Sequence, residues 1–371
     1  MASMKILHLI TELAPAGAER CVYELATRMD PAKFDVSVAA LRGGAFADRL
    51  CEAGIHVDIL GVRGKFDVGK LPKLRKLIRG LQPDILHTHL FHADFAGRLA
   101  AWPMRLGHLV HTVHIAEERF RPWQFAFQRI TDGMCDTIIA VSPSACDHHA
   151  RKCRIAPDRY VVIPNGVDVA AYSRDEQART RLRKEWNVAE REFLLAFVGR
   201  CDHQKGVDTL LEAMRRINRT GEAVKLVIAG DGPQAEMVRR FVSDDPAGKN
   251  VLYLGFSDRV AQLLSAADAL AMPSRWEGFG LAAAEAMAAS LPLIATSASG
   301  IKDVVVADET ALVIRPEDAE GLAGCIRHLA DDRQLADRLG KAGRKRVSDK
   351  FDVANTVAAH EALYLSIASV Q

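Results

Sequence analysis

Glu277 and Glu285 stand with seven residues between them in "EGFGLAAAEAMA", residues 277 to 288. "ALAMPS" before them has the branched, apolar look of a strand, "RWEGFG" of its loop and "LAAAEAMAAS" of a helix. The amides of Phe279, Gly280 and Leu281 then fall at a helix start, where unpaired donors and the helix dipole favour a phosphate. Glu285, about one turn inside, can accept hydrogen bonds from two vicinal hydroxyls. Glu277, on the loop, can hold hydroxyls of whatever a diphosphate carries. The plain alternative is an alanine-rich core helix whose acids face water.

"FVGRCDHQKG" adds Arg200 and Lys205 on a loop that closes a strand. There an arginine fork and a lysine point charge can converge on a diphosphate, although a surface Arg and Lys are commonly just solvated. A phosphate seat between two hydroxyl acceptors suits a sugar nucleotide. "ITELAPAGAER" sets Gly17 just before a helix expected to open at Ala18 and Glu19, where backbone can approach a ligand closely; a simple strand-to-helix turn reads equally well.

Two tempting motifs carry less. "AGDGPQAE" fits a dinucleotide fingerprint through Gly230, Gly232 and Ala235, but the next strand, "VLYLGF", ends in Gly255 and Phe256 without the acid that would take the ribose. His87, His89, His92, His108, His111 and His114 crowd the first half. "HTVH" reads as a strand, in which positions three apart face opposite sides, and no acidic or cysteine ligands accompany it, so no metal is expected. His114, at a strand's carboxyl end, is placed to hydrogen-bond a ligand.

The elements that must carry these groups alternate. "KILHLI", "FDVSVAAL", "DILHTH", "LVHTVH", "TIIAVS" and "YVVIPN" are brief apolar runs with amphipathic segments between, which is the grammar of a covered parallel sheet. After the charged "NGVDVAAYSRDEQARTRLRKEWNV" the series restarts with "FLLAFVGR", "VKLVIAGDG", "VLYLGF", "ALAMPS", "LPLIATS" and "ALVIRP". The 371-residue chain therefore reads as α/β, with two Rossmann-like, doubly wound parallel-sheet domains. The first is expected over 1–175 together with a terminal helix over 352–371, the second over 176–351. Seven scattered cysteines point to free thiols in a reducing cytosol, and 49 Lys plus Arg against 47 Asp plus Glu predict no nucleic-acid partner. No run approaches the ~20 apolar residues of a membrane span.

Taken together, "AGAER", "HTVH", "IPNGVD", "VGRCDHQKG", "AGDGP" and "PSRWEGFGLAAAEAMA", in this order, resemble the retaining glycosyltransferases of family 4, the group 1 family with the GT-B fold. The resemblance implies a hexosyltransferase that takes its sugar from a nucleotide-sugar donor, with UDP-sugars expected, and needs no cofactor and no metal. By motif, Arg200 and Lys205 would grip the donor diphosphate, Glu285 the ribose, Glu277 the transferred sugar, and backbone at Gly255 and Phe256 the base. Gly17 would lie near the diphosphate, and His114 beside the reacting sugar. His114, Glu277, Arg200 and Lys205 are thus the expected catalytic set. Cys201, Ser290 and Asp303 depart from the commoner pattern without removing a donor-binding group.

The acceptor is expected to be a glycan or a lipid-linked molecule, as in cell-surface polysaccharide or lipopolysaccharide synthesis. "GKLPKLRKLIRGLQP" gathers Lys70, Lys73, Arg75, Lys76 and Arg79 among leucines, and "RFRPWQFAFQRI" mixes Arg119, Arg121 and Arg129 with Trp123 and Phe125. Both suit peripheral contact with an anionic membrane from the cytoplasm, and both suit helices that cover a sheet. A sugar-nucleotide epimerase or phosphorylase of the same fold, or a non-catalytic sugar-nucleotide sensor, are the competing readings.

Overall fold

The computed structural model describes residues 3–64, 68–102, 104 and 106–369. Met1, Ala2, Val370 and Gln371, which the sequence assigns to the first domain and its tail, lie outside them. The chain divides into two compact units, residues 1–166 with 353–371, and 167–352. The division falls at 166/167 rather than at 175/176, because Val167 N–H already bonds to Phe351 O at 2.9 Å and Val167 bridges to Asp352. The two ends of the second unit are thereby tied to each other.

The first unit is built on β1 (Met4–Glu12), β2 (Phe34–Arg42), β3 (His56–Ile59), β4 (Ile85–His89), β5 (His108–Val113), β6 (Thr137–Ala140) and β7 (Tyr160–Val162). They form one parallel sheet in the order β3-β2-β1-β4-β5-β6-β7. β4 is buried at all five positions and β1 at six in succession, so both are covered on two faces, and their histidines and threonines are buried with the apolar residues. Leu7, Leu9 and Leu86 pack on one side against Leu74 and Ile78. On the other side Ile6 and Ile85 meet Leu25, Val353, Val357 and Tyr364. The terminal helix Val353–Ala368 is therefore part of the first unit's core. β3 escapes sequence reading because this edge strand alternates polar and apolar residues over only four positions.

The second unit carries β8 (Phe193–Val198), β9 (Val224–Ala229), β10 (Val251–Gly255), β11 (Ala269–Met272), β12 (Leu293–Thr296) and β13 (Ala311–Ile314). This parallel sheet runs β10-β9-β8-β11-β12-β13. In each unit the chain order reverses beside the first strand, between β1 and β4 and between β8 and β11. That crevice, at the carboxyl ends of the strands, is where open α/β sheets bind ligands.

The two basic stretches differ from each other. Helix Leu71–Leu81 turns Leu74 and Ile78 into the core, with Leu71, Leu77 and Leu81 packed against it, so it lacks the apolar outer face that membrane insertion requires. Helix Pro122–Ile130 keeps Trp123 41% and Ile130 81% exposed, and Trp102 is 70% exposed. Among the described residues no helix is long and apolar enough to cross a membrane.

Candidate functional site

In the second unit the loops after β8 and β11 are laced together. Asp202 caps the turn His203–Lys205 through a 3.1 Å bond from Lys205 N–H, and its other carboxylate oxygen pairs with Arg200. Arg275 N–H donates to Gln204 O at 2.7 Å, while Gln204 Nε2 donates to Trp276 O at 3.1 Å. The Arg275 guanidinium holds Asp208 with two nitrogens, at 2.9 and 2.8 Å, and reaches His203 O at 2.7 Å. These contacts push the Arg275 pKa above its ordinary value, chiefly through the hydrogen bonds to Asp208. Gly206 has φ +67, and a β-carbon there would lie 2.1 Å from Pro273 O. Only glycine lets the two loops approach this closely.

This lacing delivers Lys205 to Glu277. Lys205 Nζ lies 2.5 Å from Glu277 Oε1, which also accepts from Ser274 Oγ at 2.8 Å. Glu277 is 5% exposed, so its charge is held against a lysine and a hydroxyl rather than against water. Its amide donates to Ser299 O at 3.0 Å, and Gly300, at φ +80, passes close enough that a β-carbon would lie 2.7 Å from Glu277 O. Thr296 Oγ1 donates to Ser274 O at 2.5 Å, which ties the end of β12 to the same loop.

Gly280 caps the helix Leu281–Ala288, which is shorter than the expected 281–290. Ser290 follows with φ +56, the left-handed region that glycine favours. The first amides with helical acceptors are those of Ala283 and Ala284, both onto Gly280 O. Those of Phe279, Gly280 and Leu281 find no acceptor among the described residues. Phe279 is buried edge-on against Phe351, at 5.3 Å between ring centroids. Glu285 is buried too, and Tyr172 Oη donates to its Oε1 at 2.8 Å. Sequence reading missed Tyr172 because it lies in the polar segment between the two strand series. Gly255, at φ +66, accepts from Gly230 N–H at 2.7 Å, and Phe256 beside it is 59% exposed. The structure thus joins Lys205 to Glu277, and Arg200 to Asp202 on the same turn.

Gly17 and His114 lie in the first unit. Gly17 is the first residue of helix Gly17–Arg28, with Ala16 as its cap, so the helix starts one residue earlier than expected. His114 directly follows β5 and belongs to a buried histidine network. His8 Nδ1 lies 2.9 Å from His89 Nε2, and His89 Nδ1 lies 2.9 Å from His114 Nε2. His8, His87 and His89 bring ligand-type nitrogens within 4.8 Å of one another. Both nitrogens of His87 are engaged by hydroxyls, however, Tyr364 at 2.5 Å and Thr112 at 2.7 Å, so the group is wired by hydrogen bonds. Burial pushes His8 and His114 down to about 3 and His360 to about 4, and holds His87 and His89 well below the ordinary value. These rings are neutral at pH 7.

Known proteins share the sequence pattern and the fold. The family described as "Glycosyl transferases group 1" matches residues 178–346, and "Glycosyltransferase Family 4" matches residues 15–171. Glycogen synthase of Mycobacterium tuberculosis is 30% identical over 319 residues, 79% of this chain and 72% of that protein. The chain belongs to the group 1 glycosyltransferases of family 4. This glycosyltransferase is also 24% identical, over 99% of its length and 98% of the relative's, to the Escherichia coli UDP-Gal:alpha-D-GlcNAc-diphosphoundecaprenol alpha-1,3-galactosyltransferase. Anabaena HepE, solved in complex with UDP-glucose, shares its fold with a TM-score of 0.89 at 23% identity, covering 98% of this chain and 100% of that one. The two parallel sheets are those of the GT-B glycosyltransferases.

Proposed function

We propose that this glycosyltransferase moves a sugar from a UDP-sugar to a glycan or lipid-linked acceptor, with retention at the anomeric carbon and without a divalent metal. The observation that carries the reading is the Lys205–Glu277 pair, 2.5 Å apart and next to the amides of Phe279, Gly280 and Leu281. Departure of a nucleoside diphosphate builds negative charge on its terminal phosphate. Lys205, Arg200 and preset amides can stabilise that charge without reorganising. Glu277, held by Lys205 and Ser274, offers its carboxylate to hydroxyls of the transferred sugar. Glu285 takes the ribose, sharing or exchanging the Tyr172 hydroxyl, while backbone at Gly255 and Phe256 meets the base. By motif, Gly17 is assigned to the diphosphate and His114 to the reacting sugar. The departing phosphate itself helps to take the acceptor's proton, and no protein nucleophile is assigned.

The uridine base follows the UDP-Gal relative that spans nearly the whole chain. Its diphosphoundecaprenol-linked acceptor supports a lipid-linked acceptor here, met by cytoplasmic protein at the membrane surface. Trp123 and Ile130, exposed on the helix that also carries Arg129, are the residues assigned to that contact. Incubation with UDP-, GDP- and ADP-sugars, with and without chelator, tests the reading. Turnover of UDP-sugars unaffected by chelator is expected, and turnover that requires added metal or another base refutes that part. Isomerised sugar released without acceptor would favour the epimerase. Sedimentation with anionic liposomes at low salt, where surface attraction is greatest, checks the membrane contact, which absence of binding excludes.

A further inference from the structure

Two donors from different loops land on the same carboxylate oxygen of Glu277. Lys205 Nζ and Ser274 Oγ reach Oε1 at 2.5 and 2.8 Å, and Oε2 accepts no hydrogen bond among the described residues. Unlike the sealed nitrogens of His8 and His114, Oε2 keeps contact with solvent. A carboxylate offers about four lone-pair sites, and those still open lie on Oε2.

The two ties differ in kind. Lys205 is a point charge on a flexible stem and, in the proposed reaction, must also grip the departing diphosphate. Ser274 has no such second duty. It is buried just past the carboxyl end of β11, its O accepts from buried Thr296 Oγ1 at 2.5 Å, and the next amide, of Arg275, is held by Gln204 O at 2.7 Å. Its hydroxyl therefore stays in place when the lysine turns to a phosphate. We propose that Ser274, braced by Thr296, is a positioning residue that keeps Oε1 of Glu277 turned inward while Lys205 engages the diphosphate, so that Oε2 meets a hydroxyl of the transferred sugar. An acceptor-only oxygen held in one place selects a hydroxyl there and penalises a sugar in which that hydroxyl is missing. The proposal rests on the reading that Glu277 holds the transferred sugar.

The test is a double-mutant cycle on the full chain. It reads kcat/KM with the UDP-sugar that the protein turns over, and calorimetric affinity for UDP, which lacks the sugar. Ser274→Ala should leave UDP affinity unchanged and lower kcat/KM about tenfold. Added to Glu277→Ala, itself slow, it should cost nothing further, because Ser274 acts only through Glu277. Thr296→Val should show the same signature more weakly, and it decides by itself should Ser274→Ala fail to fold. An unchanged kcat/KM in Ser274→Ala beside a slow Glu277→Ala overturns the proposal. So does an additive loss in the double variant, or a parallel loss of UDP affinity. Full activity of Glu277→Ala would instead overturn the contact between Glu277 and the sugar.

Discussion

Acidification should unfold the first unit before the second. His8, His114 and His149 sit at about 3 and His360 at about 4, against an ordinary value of 6.5, with burial the largest cause in each. The unfolded chain then binds more protons than the folded one. The stabilisation is complete above pH 6.5, shrinks as pH falls below that value, and is spent near pH 3 to 4. At pH 5 an unfolded imidazole is almost fully charged and these four are not, which costs about 2 kcal/mol each and on the order of 8 kcal/mol together. A domain's whole stability is typically about 5–15 kcal/mol. The lowered carboxyls, such as Asp94 and Asp268, begin below 3.8 and act only at lower pH, so the histidines alone govern the window from pH 6.5 to 5. Of 13 histidines only His203 and His328 lie in the second unit. Hydrogen exchange read by mass spectrometry at pH 7.5 and 5, corrected for intrinsic rates, should show protection lost in β4, β5 and helix 353–368 while β8 and β11 keep theirs. Equal protection of both units at pH 5 would refute the reasoning.

Lys205→Met should weaken UDP-sugar binding by about 1.5–3 kcal/mol, a charge-assisted contact, which titration calorimetry would read. It should also lower the stability of the second unit, because among the described residues buried Glu277 then keeps the Ser274 hydroxyl alone. Tyr172→Phe removes the donor on Glu285 and should destabilise the second unit by about 1–3 kcal/mol in urea melts, with UDP protecting the variant. Gly206→Ala forces a left-handed alanine against Pro273 O and should cost about 1–2 kcal/mol for the backbone alone, with more for the contact. An unchanged melting midpoint would show that the loops can part freely.

The sequence by itself determined the architecture, because a strand covered on both faces is largely apolar, as β8 and β11 are, while β1 and β4 keep enough apolar residues to read as strands despite their buried histidines. It also determined which residue types stand at the carboxyl ends of the strands, since loop chemistry is read directly from spacing: Arg200, Lys205, Glu277 and Gly280. In β3, by contrast, the alternation spans only four residues, too few to read as a strand. Partners far apart in sequence were decided only in three dimensions. Lys205 meets Glu277 through the Gln204, Arg275 and Asp208 lacing, and Tyr172 reaches Glu285 across 113 positions. His8, His87 and His89 became one network only when β1 paired with β4 in the register His8 to His87. A sequence fixes where each side chain leaves the backbone, but sheet register and loop packing fix which of them share a space too dry to hold an unpaired charge.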